Sequence, residues 1–587
     1  YHHLYIHLHQ YDLYVMYLIS NQSKIFQFLL KSVNDQSDEF NANNDPQITS
    51  GAASGIALPF TEEMNALPAD WTVVNPDGGY SWIQTNVHAG SLVLPAYDYE
   101  ETGAQDLLFT PVFSASAATK MLLQFEVAYA RYPGNNEESL SVYIIDDCNL
   151  SVQQATRIYY RKGSDLATAP DNNSSFVPGD QQWRRESLVL NAYAGKPNLR
   201  LAFVFRNAFG NNLYLDRVRV LTGDITDIRI AEVSEPSVAV CPGTVKPKLR
   251  LVNAGTVPVS GLSILKGVSK SLGETTNIPL TLEPGNEAFV DITAMNIPEG
   301  PAQIWFEATT VETDINPDDN YIEKRVTGIG RKNRIPFRER FDGIPQWTIV
   351  PEGDGRLWEF SSTNFGTGAG YNGFANPKPG ERAWLVSPVL DLSQVSAASL
   401  FADFSYASRS GSMEKVKVAA SVNCGVTFSE TLFEGDADEL HGGNNSSVAW
   451  LPSAETDWTR NFFDLSSVAG KKDVLVALVV TNDNGNNLFT DNLEFFVGND
   501  PDPVRIDRPF QIYTEAVTRE ERITFNLEER QPVRLQIYTS TGLPILDNTF
   551  EDILNQSLVF QLNRPSGIYI YRLQIGDKTY SAGHFVP

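Results

Sequence analysis

Histidine, cysteine and cationic side chains are scarce in this 587-residue chain, which holds seven His, three Cys and 45 Lys plus Arg against 71 Asp plus Glu. Outside the first nine residues the histidines are His88, His441 and His584, in three different segments, so a histidine-based hydrolytic centre has little to be built from. Neither a Gly-x-Ser-x-Gly elbow nor a His-Glu-x-x-His helix occurs. The cysteines Cys148, Cys241 and Cys424 also lie in different segments. They make no disulfide framework, and at most one bridge between segments can form. A net charge of −26 repels nucleic-acid phosphates and anionic membrane surfaces. Divalent cations are the ionic partner such a charge attracts, and the plainer reading is that it only keeps the protein soluble. Long apolar runs are missing too: the best, Leu13 to Ser20, is far short of the ~18 residues that mark a membrane span. No basic leader with a cleavage site precedes it. The chain opens at Tyr1 without Met and reads as a fragment or processed product.

What is present is duplication. Pro59-Phe60-Thr61-Glu62 is answered by Pro336-Phe337-Arg338-Glu339, and the Trp71/Trp82 spacing by Trp347/Trp358. Trp183, Gly210-Asn211-Asn212-Leu213 and Asp216 match Trp458, Gly485-Asn486-Asn487-Leu488 and Asp491 without a gap. A unit this long is a whole domain and not a solenoid repeat, whose period is about 20–50 residues. Within it, alternating runs such as Met121 to Tyr129 and Leu199 to Phe205, with turn clusters between them, read as strands. The six matched tryptophans read as core anchors, each contributing up to about 5 kcal/mol on burial. The length implies roughly four domains. The expected division is 1–54 as a remnant and linker, 55–222 as copy one, 223–330 as a seven-strand sandwich, 331–498 as copy two and 503–587 as a small β-unit. Ser23 to Ser32, with Ile25, Phe26, Leu29 and Leu30 as a stripe, reads as a helix. The fold class is therefore all-β with a short helical N-terminal segment.

Several segments carry a family resemblance. Phe125-Glu126-Val127-Ala128-Tyr129-Ala130, Gly163 to Pro170, Gln182-Trp183-Arg184 and Gly210 to Asp216 make copy one similar to MAM-like cleaved-adhesin (choice-of-anchor) jelly rolls. Ala402 to Ala407 carries the likeness, in drifted form, into copy two. Val252-Asn253-Ala254-Gly255-Thr256 and Asn316 to Tyr321 resemble immunoglobulin-like adhesion modules. Val533 to Tyr538, Thr541-Gly542 and Pro565 to Leu573 resemble the C-terminal sorting domain of type IX secretion, although the Asn-Pro entry and the basic end are absent. Met16-Tyr17 and Ser20-Asn21-Gln22, ahead of the expected helix with Phe26 and Leu30, resemble the end of a pappalysin-type zinc metallopeptidase domain. That domain's zinc motif is not in this chain.

The resemblance implies a structural cation in each jelly roll. Glu62 with Asp216, and Glu339 with Asp491, are the expected calcium ligands, brought together by neighbouring first and last strands and chosen because calcium takes six to eight oxygens. The competing expectation is that these acids cap turns or pair with Arg217 and Arg340. His2, His3, His7 and His9 suit zinc or nickel by residue type, but a disordered end is the plainer reading. Asp314, Asn316, Asp318 and Asn320 alternate like a calcium loop, yet Asp319 and Arg325 stand where Gly and Glu are needed, so a turn is expected. Cys148 and Cys424 read as small buried hydrophobes, and Tyr97, Tyr99 and Tyr132 as exposed platforms for sugar.

The implied function is that of non-catalytic C-terminal modules of a secreted protein, extracellular or attached to the outer surface. They would space the protein, dock substrate or surface, and address the type IX export machinery. The catalytic part, a zinc metallopeptidase domain, would be missing or truncated. The alternatives are an adhesin that binds extracellular glycan or protein, and the carbohydrate-binding part of a glycanase. No nucleic acid and no membrane span are expected.

Overall fold

The computed structural model describes residues 56–586, apart from short internal stretches of which 500–508 is the longest, together with the backbone of four strands within residues 2–51. Nearly every element is a strand. Among the described residues the α-helices are single turns, Gly163–Leu166 and Ala437–Leu440. By contact density the chain divides into two units, one holding the N-terminal strands and the first jelly roll, the other running from residue 225 to the end.

In the first unit, the strands His2–Leu8, Tyr11–Ile19, Ser23–Val33 and Gln47–Gly51 form one antiparallel sheet. The helix expected over Ser23 to Ser32 is thus a strand, paired from Lys24 opposite Ile19 to Val33 opposite Tyr11. A short apolar run does not distinguish the two periods. The β-branched and aromatic side chains of Ile25, Phe26 and Phe28 favour a pleated neighbour once one exists. The metallopeptidase resemblance needed a helix here and loses it.

The first jelly roll is a sandwich. One sheet holds, in order, Arg184–Val189, Met121–Tyr129, Leu213–Thr222, Ser91–Leu94 and Ile83–Thr85, with Phe60–Glu62 also pairing Leu213–Thr222. The facing sheet holds Thr156–Lys162, Ser139–Ile145, Arg200–Arg206, Gln105–Phe109 and Thr72–Val74. Alternation sends Leu123, Phe125 and Val127 inward, where they meet Phe203, Phe205 and Leu140. The neighbours in between, Gln124, Glu126 and Ala128, take the outer face.

In the second unit the same plan recurs. Leu488–Val497 lies between Gly366–Tyr371 and Ala398–Tyr406, and Arg382–Val386 pairs Leu475–Thr481. Even the irregularity is shared: a bulge at Gln124/Glu126 in the first copy stands at Phe401/Asp403 in the second. Between residues 228 and 328 a three-stranded and a five-stranded sheet enclose a separate core around Leu249, Leu251, Ile264 and Phe306. The C-terminal strands, from Phe510–Thr514 to Lys578–Val586, make a three-plus-four sandwich around Ile523, Leu535 and Tyr571.

Four of the six matched tryptophans are core, with Trp71, Trp82, Trp347 and Trp358 no more than 7% exposed. Trp183 and Trp458 are half-buried. Trp183 lies on the outer face against Val93, Ala128, Phe176 and Tyr214. Matching between copies therefore marks two kinds of position, interior and face.

Cys241 and Cys424 form a disulfide with Cα atoms 5.2 Å apart. Cys424 is a staple, where sequence reading gave only a small buried hydrophobe. Cys148 lies outside the described residues.

Candidate functional site

The outer face of the first jelly roll gathers its polar side chains at the bulge. Glu126 stands opposite both Asp216 and Arg185. His88 comes from the turn Val87–Ala89, where His88 and Ala89 have φ of 58° and 64°. This left-handed conformation is uncommon for residues with a Cβ. It sets His88 Nδ1 3.1 Å from Asp216 Oδ2 and 3.9 Å from Glu126 Oε2. The imidazole stacks on Trp183, with centroids 4.6 Å apart and planes 19° from parallel.

Charges in this group are already balanced. Glu126 takes Arg185 and Arg217, each at 3.2 Å. Asp216 accepts the Arg217 backbone N–H at 2.7 Å. Burial pushes its pKa up to about 6, against the lowering by that N–H and by His88. The imidazole and the two carboxylates lie within 4.8 Å of one another and could hold a metal ion by distance. The two guanidinium groups, however, supply the positive charge a metal would bring. The arrangement fits a polar docking face, with a flat aromatic beside fixed donors and acceptors, better than it fits a metal centre.

The second copy keeps the frame and changes the chemistry. Asp403 stands opposite Asp491 and Arg460 and takes Asn492 Nδ2 at 2.9 Å where the first copy has Arg217. Arg460 reaches both Asp403 and Glu494, and Arg338 also pairs with Glu494 at 2.5 Å.

The four acids expected as calcium ligands sit as follows. Glu62 is opposite Val218. Its carboxylate accepts the Met64 N–H, and burial pushes its pKa up. Asp216 turns instead to His88 and Glu126. In the second copy both Glu339 oxygens are occupied by backbone, from Phe341 N–H at 2.8 Å and Gln346 N–H at 2.6 Å. Asp491 accepts the Asn492 N–H at 2.7 Å, and burial, then Asp342 and Asp403, lift its pKa to about 7. The acids that Asp491 meets are thus Asp342 and Asp403.

Other expectations resolve simply. Tyr99 is 2% exposed and no sugar platform, while Tyr97 and Tyr132 are half-buried. Asp314 holds a turn, accepting Asn316 N–H and Ile228 N–H at 2.7 Å each. His441 bonds Thr459, and His584 sits against Thr514 and Glu521. The side chains of His2, His3 and His7, and all of His9, lie outside the described residues. Sequence reading missed Glu126, whose signal was an acid in the middle of an otherwise apolar strand, answered by Asp403.

Among the described residues no helix is long and apolar enough to cross a membrane. The class defined by fold and face is an all-β, multi-module protein whose two jelly rolls carry different polar side chains on the same face. No protein-family model and no curated protein matches the chain. Solved structures similar to it include two cleaved-adhesin domains of Lys-gingipain from Porphyromonas gingivalis W83. The K1 domain is 18% identical over 28% of this chain and 98% of its own, with a TM-score of 0.22. The K3 domain is 19% identical over 28% and 98%, with a TM-score of 0.23. The tandem CBM22 domains of Xyn10C from Paenibacillus barcinonensis are 9% identical over 76% and 100%, with a TM-score of 0.20. Likeness at this level says nothing about activity.

Proposed function

We propose that these modules form a non-catalytic, extracellular binding arm, in which the first jelly roll docks a glycan or protein on its outer face. The observation that supports this is the contrast between the copies. One frame, with one shared bulge, carries His88, Trp183, Arg185 and Arg217 around Glu126 in the first copy and an Asp403–Arg460–Glu494–Arg338 network without imidazole in the second. A fold-only role would not need two chemistries.

An extracellular location agrees with the Cys241–Cys424 bridge, because disulfides persist in oxidising compartments. The C-terminal sandwich, with its sorting-domain resemblance, would address export through the type IX machinery.

The test is binding of the full chain to arrayed glycans and immobilised extracellular proteins, repeated with His88→Ala/Arg217→Ala. Retained ligand should fall at least about tenfold, since a docking hot spot contributes about 1.4 kcal/mol or more. Equal binding by the variant would move the function off this face. A generic peptidase assay on the same chain should show no turnover above buffer.

A further inference from the structure

The sandwich at 228–328 carries an aromatic strip on its surface that neither the docking face nor the export reading uses. In its five-stranded sheet, Gly300–Thr309 lies between Tyr321–Gly328 and Leu262–Val268, with Glu274–Ile278 at one edge. Alternation sends Ile304, Phe306 and Ala308 into the core. It leaves Trp305 and Glu307 on the outer face, where Glu323 stands opposite Trp305 and Tyr321 opposite Glu307.

The indole is held in place. Trp305 Nε1 donates to the Ser269 carbonyl at 3.1 Å. The ring fills the space above two glycines: a Cβ at Gly267 would stand 2.4 Å from Trp305 Cζ2, and one at Gly273 2.8 Å from Cη2. A side chain at either position would push the ring off the sheet. Tyr321 is 46% exposed, and its ring lies 6.4 Å from the indole by centroids and 26° from parallel. Two large rings fixed at a surface, with a sheet cleared to seat one of them, ask for a ligand.

The rim supplies acceptors. Glu307 and Glu323 both act on the Tyr321 hydroxyl, which donates to Glu323 Oε2 at 3.2 Å. Neither acid has a Lys or Arg partner among the described residues. Arg325, next along the same face, donates to the Gly353 carbonyl at 2.8 Å. Free carboxylates at the ring edge repel phosphates and uronic acids, which excludes nucleic acid and acidic glycan. A cation is held best where it sits over a ring face, and ring faces that converge on one point hold it tightest. These rings are near parallel and make a strip. What matches a strip edged with acceptors is a chain of sugars, its apolar C–H faces on the rings and its hydroxyls donating to the carboxylates.

We propose that Trp305 and Tyr321, with Glu307 and Glu323, bind an uncharged, β-linked polysaccharide on the outer face of this sandwich. Equatorial linkages turn successive sugar-ring faces outward along an extended ribbon, which two near-parallel rings can follow. The pinned indole lowers the ordering cost of binding. The site is separate from the outer face of the first jelly roll and does not depend on it.

The experiment is affinity electrophoresis of the full chain through native gels that hold mixed-linkage β-glucan, β-glucomannan or xyloglucan. At least one of the three should retard the wild type, and salt at about 0.5 M should not release it, because stacking is not screened. Trp305→Ala should weaken the retardation at least about tenfold, as loss of a central aromatic anchor does. Tyr321→Ala removes an exposed ring, guards against a folding failure of the Trp305 variant, and should weaken it at least about threefold. His88→Ala/Arg217→Ala should be retarded like the wild type, which separates this site from the docking face. No retardation by any of the three polymers, or full retardation of both ring variants, overturns the proposal. So does retention on immobilised polylysine that Glu307→Gln/Glu323→Gln and salt both abolish, which would make the strip a site for cationic peptide.

Discussion

Glu414 shows what one buried acid does to the pH response. It is fully buried at the start of the strand Lys415–Ser421 and accepts Asp483 N–H at 2.6 Å, while its other oxygen has no partner. Burial pushes its pKa up to about 8, with the Asp483 N–H opposing. Its counterpart Glu138 is also buried and raised, taking a hydrogen bond from Tyr129. The surrounding N–H donors rule against a cation here, and a neutral carboxylic acid fits. Because the folded pKa lies above the unfolded value, the native state holds the extra proton between about pH 4.5 and 8. Stability is then full below that window and lost as pH rises through it. Glu414 alone should cost about 3 kcal/mol between pH 5 and 8. Glu414→Gln should flatten the pH profile of the melting temperature in the full chain, and an unchanged slope would show that the carboxyl is not the titrating group. These acids were legible only in hindsight, as matched Glu residues before alternating strands. Nothing in the sequence says that a surface-like Glu-Ser or Glu-Lys pair begins with a buried side chain.

The Gly-Asn-Asn turns show what an element contributes. Asn211 Oδ1 accepts Phe176 N–H at 2.8 Å and Asn212 N–H at 2.9 Å; Asn486 Oδ1 accepts Trp450 N–H and Asn487 N–H at 2.8 Å each. One amide oxygen thus satisfies two backbone donors and pins a long loop to the sheet end, in both copies. Asn211→Ala or Asn486→Ala should each destabilise by about 2–4 kcal/mol, since buried donors are left unpaired. Chemical denaturation should show it as a shifted midpoint, and a loss under about 0.5 kcal/mol would make the turn self-supporting. Gly210 cannot be replaced cheaply either, because a Cβ there would collide with the Glu138 carboxylate. These turns were visible in the sequence because their residues are special and the copies repeat them. The strand Ser23–Val33 was not, because its pairing with Tyr11–Ile19 is a non-local fact that periodicity in a short run does not contain. Site residues divide the same way. Asp216 was visible by repetition, whereas His88 has no histidine at the matching place in the second copy and offered no such signal.

At the scale of the whole chain, what distinguishes the second unit is a weld between its sandwich at 228–328 and the second jelly roll. Ser237 N–H donates to Val426 O at 3.0 Å and Cys241 N–H to Cys424 O at 2.9 Å, two rungs beside the disulfide. Gly425, with φ of 81°, lets the backbones approach, since a Cβ would strike the Ala239 carbonyl. Val238, Ala239 and Ile329 share an apolar cluster with Val350, Trp384, Val386 and Val479. Cysteine spacing showed that such a bridge was possible but not that it forms, because the 183-residue separation carries no distance. The bridge closes that long loop in the unfolded chain, and loop entropy gives it up to about 5 kcal/mol. Cys241→Ser/Cys424→Ser should therefore lower the melting temperature of this unit by about 10 °C, and reductant should do the same to the wild type. The rungs and the apolar cluster remain in the variant, so small-angle scattering of the folded protein should not change. A lower melting temperature with unchanged scattering would assign the disulfide to stability and the packed cluster to orientation. Scattering that broadens while the protein stays folded would reverse that assignment and make the bridge the hinge pin of a binding arm that loosens under reducing conditions.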